Sequence, residues 1–130
     1  MIVVDASALV ETLLRLPAAA GVDARIFDSG ETLHAPHLLD IEVLHVLRRF
    51  DAAGELGPER ERVALVGLAG LTIQRHPHRA LLERVWQLRG NLTAYDAVYV
   101  ALAESLDATL VTRDRRLANT RGHRVRIELV

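Results

Sequence analysis

Ile2-Val3-Val4-Asp5-Ala6-Ser7 opens the chain with a short β-branched apolar run that closes on an acid. Such a run reads as a buried strand, and Leu9, Val10, Leu13 and Leu14 follow at the spacing of an apolar helix face. Ser7 is placed to cap that helix, and Pro17 ends it. The pattern returns near the other end. Ala108-Thr109-Leu110-Val111-Thr112 reads as a strand, Arg113-Asp114 closes it, and Arg115 to Ala118 reads as a short helix.

Between these ends the chain alternates. A helix is expected over 18–28, stopped by Gly30, and a strand over Thr32 to Ala35, closed by Pro36. A long helix covers 38–53. Pro58 begins another, with Glu59 and Glu61 in its first turn and an apolar tail from Val63 to Leu68 that runs into glycines. Leu71 to Ile73 reads as a short strand and Arg79 to Leu88 as an amphipathic helix. Thr93 caps a helix that carries Asp96, and Arg124 to Val130 alternates as an edge strand. Strands alternating with helices imply an α/β fold, with a mostly parallel central sheet of about four to five strands flanked by helices. At 130 residues and 50% hydrophobic, one domain spanning 1–130 is expected.

Composition removes several chemistries. There is no cysteine, so disulfides, thiolate metal sites and cysteine nucleophiles are excluded. All 16 basic residues are arginine, which excludes any mechanism that needs lysine. The net charge of −1 shows no basic arm. Met1 to Asp5 lacks a basic leader, and no stretch reaches the roughly 20 apolar residues of a membrane helix. A cytoplasmic protein without membrane attachment is the expectation. The six histidines show no metal-ligand spacing and read as surface or packing residues.

Four acids stand out. Asp96 lies in Thr93-Ala94-Tyr95-Asp96-Ala97-Val98-Tyr99-Val100, a helix apolar on nearly every side, where an unpaired buried carboxylate is costly. Asp5 and Asp114 each follow a strand and would project from the same edge of the sheet, where α/β folds bind ligands. Glu42 sits among Leu38, Leu39, Ile41, Val43 and Val46, with His45 and Arg49 as alternative ion-pair partners. Asp40 competes with Glu42 but suits a helix N-terminus anyway. Four carboxylates brought together repel one another unless a hard divalent cation, Mg²⁺ or Mn²⁺, neutralises them. Ser7 and Thr112 stand two residues from an acid and could support such a site.

These segments together resemble the PIN-domain nucleases, in particular the VapC-type toxins. The resemblance is carried by Ile2-Val3-Val4-Asp5-Ala6-Ser7-Ala8, by Glu42 to Arg49, by Thr93 to Ala103, and by Leu110-Val111-Thr112-Arg113-Asp114-Arg115-Arg116-Leu117. Each motif is weak alone; their order and spacing span the whole chain. The resemblance implies a PIN-like fold and an endoribonuclease dependent on Mg²⁺ or Mn²⁺. It implies Asp5, Glu42, Asp96 and Asp114 as catalytic, metal-holding acids, with Ser7 and Thr112 in support. It also implies RNA as substrate, a cognate VapB-type antitoxin and a homodimer.

RNA meeting an acidic pocket needs a basic rim, for which Arg48, Arg49, Arg113, Arg115 and Arg116 are the candidates. The apolar stretches Val63 to Leu71 and Tyr95 to Leu102 could serve as interfaces. A phospho-receiver domain and a haloacid-dehalogenase-like phosphatase share acids at strand ends, but both need the lysine this chain lacks. The remaining alternative is a catalytically inactive PIN-fold module that binds RNA or protein.

Overall fold

The computed structural model describes residues 1–130. Five strands form one sheet: β1 (Ile2–Val4), β2 (Leu33–Pro36), β3 (Ile73–His76), β4 (Thr109–Thr112) and β5 (Ile127–Leu129). Their order is β3-β2-β1-β4-β5, and every pairing is parallel. β1 therefore lies in the middle, which explains why Ile2, Val3 and Val4 have no polar residue among them and are fully buried. From β1 the chain winds outward to β2 and β3, then returns to the other side for β4 and β5. That reversal places a crevice beyond the carboxyl ends of β1 and β4.

Helices α1 (Ala6–Leu14) and α2 (Ala19–Ile26) link β1 to β2, and α3 (Leu38–Ala52) and α4 (Pro58–Gly70) link β2 to β3. A 3₁₀ turn (Arg79–Leu81), α5 (Leu82–Gln87) and α6 (Ala94–Leu106) lead to β4, and α7 (Arg115–Ala118) leads to β5. α1 packs against α2, α3 and α4, while α6 lies along β1, β2 and β4. The bulk of the core forms there: Ala97 to Ala103 are buried without a break.

Three local expectations are corrected. α1 is capped by Asp5, whose Oδ1 accepts from the Ala8 N–H at 2.9 Å, and Ser7 lies inside the helix. α4 ends at Gly70, as its glycines imply, and at Gly67 a Cβ would stand 3.0 Å from Leu13 Cδ2, so that residue permits close approach to α1. The third strand lies at Ile73–His76, beyond Leu71, where pairing with the whole of β2 sets its position. The amphipathic segment after it divides into the 3₁₀ turn and a short α5. No helix is long and apolar enough to cross a membrane.

Candidate active site

Asp5 stands at the crevice between β1 and β4 and is the most buried of the four acids, at 7% exposure. Its Oδ1 accepts from Ser7 Oγ at 2.7 Å and from the Ala8 N–H, and its Oδ2 accepts from Thr112 Oγ1. Both hydroxyls are themselves oriented. Ser7 Oγ accepts from the Arg113 N–H at 2.9 Å, and Thr112 Oγ1 accepts from the Asp114 N–H at 2.9 Å. Two hydroxyls thus tie the ends of β1 and β4 together and aim one carboxylate. Burial pushes the Asp5 carboxyl up from its ordinary value, against the Thr112, Ala8 and Ser7 hydrogen bonds, and the Asp114 charge pushes it further.

Asp114 caps α7, accepting from the Arg116 N–H at 2.7 Å and the Leu117 N–H at 3.4 Å. Partial burial pushes its carboxyl up, but the bonds from Arg116 and Leu117 outweigh this and hold it below the ordinary value.

Asp96 corrects the expectation of a charge buried in an apolar helix. It occupies the first turn of α6, only partly buried, where the helix N-terminus and water ease its charge. Thr93 caps that helix, its Oγ1 accepting from the Asp96 N–H at 3.2 Å. The acid that is costly to bury is Asp5, at the end of a central strand.

Glu42 pairs with neither His45 nor Arg49. Its Oε2 accepts a short hydrogen bond from the Tyr99 hydroxyl of α6. Burial raises the Glu42 carboxyl above its ordinary value; the Tyr99 bond opposes this, and the Asp5 and Asp96 charges add to it. Burial and the Glu42 carboxylate push the Tyr99 phenol far upward, so it remains a donor. Nothing in the spacing of α6 singled out Tyr99 from its apolar neighbours; the available signal was its place three residues after Asp96, on the same helix face.

The four acids, drawn from four different parts of the chain, line one open cleft of about 560 Å³. Ser7, Tyr95, Tyr99, His45 and Arg49 line it with them. Thr112 lies fully buried behind Asp5. No three His, Asp or Glu side chains gather tightly enough to enclose an ion by themselves. The donor set is nonetheless all hard oxygen, two of its carboxyls are raised by burial and by like charge, and the cleft is open to water. That suits a hydrated divalent cation such as Mg²⁺, which keeps several waters and takes one or two carboxylates directly.

The arginines divide. Arg49 alone of the five lies in the cleft wall. Arg113 is turned away to the Val130 carbonyl and to Glu11 at 3.6 Å. Arg116 reaches Asp114 at 3.3 Å. Arg48 and Arg115 are exposed. Of the two apolar stretches, Ala97 to Leu102 are used up in the core, whereas Val63, Leu65 and Val66 of α4 remain exposed. A second exposed apolar set, with Ile41, Leu82 and Tyr95, adjoins the acid cleft.

The sequence matches the family model for the PIN domain over residues 2–122. The chain belongs to the PIN-domain family. Within it, this PIN domain is of the VapC type. It is 47% identical to Ribonuclease VapC9 of Mycobacterium tuberculosis over 92% of its own length and 91% of that relative. It is 42% identical to Ribonuclease VapC12 of the same organism over 100% of its own length and 99% of that relative. Among solved structures, VapBC2 from Rickettsia felis, bound to a promoter DNA fragment, has a similar fold. There the TM-score is 0.67 at 15% identity, covering 99% of this PIN domain and 98% of that chain.

Proposed function

We propose that this PIN domain is an endoribonuclease dependent on Mg²⁺ or Mn²⁺ and the toxin of a VapBC-like pair, cleaving RNA phosphodiester bonds. The observation that carries the reading is the convergence of Asp5, Glu42, Asp96 and Asp114 on one cleft at the sheet's winding reversal. The names of its relatives, Ribonuclease VapC9 and Ribonuclease VapC12, support the reaction class and the RNA substrate.

Asp5, Asp96 and Asp114 would hold the cation, with Glu42 bound directly or through water. When bound, the ion lowers the pKa of a water nucleophile and offsets charge growing on the phosphoryl oxygens. The chain's own residues do the rest. Ser7, Thr112 and the Ala8 N–H use three of the roughly four lone-pair positions on Asp5 and leave one for the cleft. Asp114 stays ionised through the Arg116 and Leu117 hydrogen bonds. Arg49, in the cleft wall, and the exposed Arg115, next to Asp114 in the chain, would meet the phosphate backbone.

A VapB-type antitoxin and a second copy of the chain are the proposed protein partners, and the exposed apolar residues of α4 and those beside the cleft offer surfaces for them. The test is cleavage of RNA with Mg²⁺ or Mn²⁺ by the native chain, Asp5→Asn and Asp96→Asn. The reading expects cleavage by the native chain alone. Equal rates in all three would refute the site, and binding of RNA without any cleavage would favour an inactive binding module. Growth arrest on expression, relieved by a small partner encoded beside it, tests the toxin role.

A further inference from the structure

We infer that Tyr99 is a positioning residue that holds Glu42 in the acid cleft, an inference that rests on the nuclease reading above. Glu42 has reasons to leave. It lies beside the exposed Ile41 on α3, where a flexible side chain can swing into water. Asp5 and Asp96 repel it. His45 and Arg49, further along the same helix and lining the same cleft, would draw it into an ion pair. It forms none, and the Tyr99 hydroxyl is its one hydrogen-bond partner.

Tyr99 is built for that task. Its ring is 2% exposed, fixed in the core run of α6, three residues after Asp96 on the same face. A phenol carries a single O–H, so it engages Glu42 Oε2 and leaves Oε1 free of partners and available to the cleft. Phenylalanine would fill the same space and offer Glu42 nothing. The hydroxyl of Tyr99 is engaged with Glu42, so its effect passes through that carboxylate. Partners of this kind, behind a metal-holding group, are worth about 10- to 100-fold in metal affinity or activity.

The experiment compares the native full chain with Tyr99→Phe, Glu42→Ala and the double variant. It measures Mn²⁺ affinity by titration, kcat and KM on a short RNA, and the melting temperature. Tyr99→Phe is expected to lose about 10-fold or more in Mn²⁺ affinity or kcat, with KM for RNA little changed and the melting temperature near native. The double variant is expected to match Glu42→Ala within about twofold, because without Glu42 the hydroxyl has nothing to orient. Native Mn²⁺ affinity and kcat in Tyr99→Phe would overturn the inference. So would a double variant that falls below Glu42→Ala by the full factor seen for Tyr99→Phe alone, since that marks an independent structural role. Should the native chain cleave no RNA, the nuclease reading falls, while the Mn²⁺ titrations still decide whether Tyr99 acts through Glu42.

Discussion

Arg75 grips Asp40 with two guanidinium nitrogens, Nε and Nη2, each at 2.7 Å, and so ties the end of β3 to the first turn of α3. Two acids two residues apart on one helix are thereby given different work. Asp40 is neutralised outside the cleft, and Glu42 is left facing Asp5 and Asp96. Asp40→Asn is therefore expected to keep RNA cleavage within about twofold of native, while Glu42→Gln loses about 100-fold or more. Because the pair is part exposed, Asp40→Asn is expected to cost no more than about 1 kcal/mol in urea unfolding.

Stability should respond to pH in opposite senses at different groups. Burial raises Glu42 above its ordinary 4.5 in the folded chain, so the folded state holds that proton more tightly than the unfolded one. Its contribution is full below 4.5 and is lost as pH rises through the raised folded value. Asp5 behaves alike from 3.8. His34 is opposite: burial and the His76 charge lower it from 6.5, so its contribution is full above 6.5 and is lost as pH falls toward the folded value. Comparing native with Glu42→Gln cancels the His34 contribution. Urea unfolding with chelator present should show native gaining on Glu42→Gln as pH falls from 7 to 4. A difference independent of pH would contradict the raised Glu42.

A divalent cation should replace that proton. At neutral pH, Mg²⁺ or Mn²⁺ at about 100 times its dissociation constant is expected to stabilise the native chain by about 2.7 kcal/mol. Calorimetry with and without chelator reads this, and Asp5→Asn should abolish most of it.

Thr112 is fully buried, donates to Asp5 and accepts from the Asp114 N–H. Thr112→Val keeps the shape and orphans both partners, so it is expected to cost about 1–3 kcal/mol in urea unfolding. It should also weaken cleavage, since nothing then aims Asp5 Oδ2.

Among the arginines, position relative to the cleft should decide the effect. Arg49→Ala is expected to weaken RNA binding and to reduce the slope of log affinity against log salt by about 1. Arg48→Ala, outside the cleft wall, should change both less. Electrophoretic or fluorescence titrations at several salt concentrations separate the two.

The fold was largely legible because its signals are local. A β-branched run ending at Asp5, a Thr cap before Asp96 and a strand closing at Thr112 each report on a few neighbouring residues, and their alternation implies a parallel sheet. Local signals failed where a partner far along the chain decided the outcome. The local pattern places β3 two residues early, since its position follows from pairing with β2. Nor does the spacing of α4 show why Gly67 stands inside the helix, which the approach of Leu13 explains.

The chain alone determined that four acids would stand at strand ends and on apolar helices. Only the tertiary structure decided how each is held. Asp5 and Thr112 are 107 residues apart, and Tyr99 and Glu42 are 57 apart. Periodicity and capping act over about one helical turn or one strand pair, so they carry no information about such pairs. Packing of α3 and α6 beside the sheet brought the tyrosine to the glutamate. The same packing left Asp96 near water and made Asp5, at the end of the central strand, the buried charge.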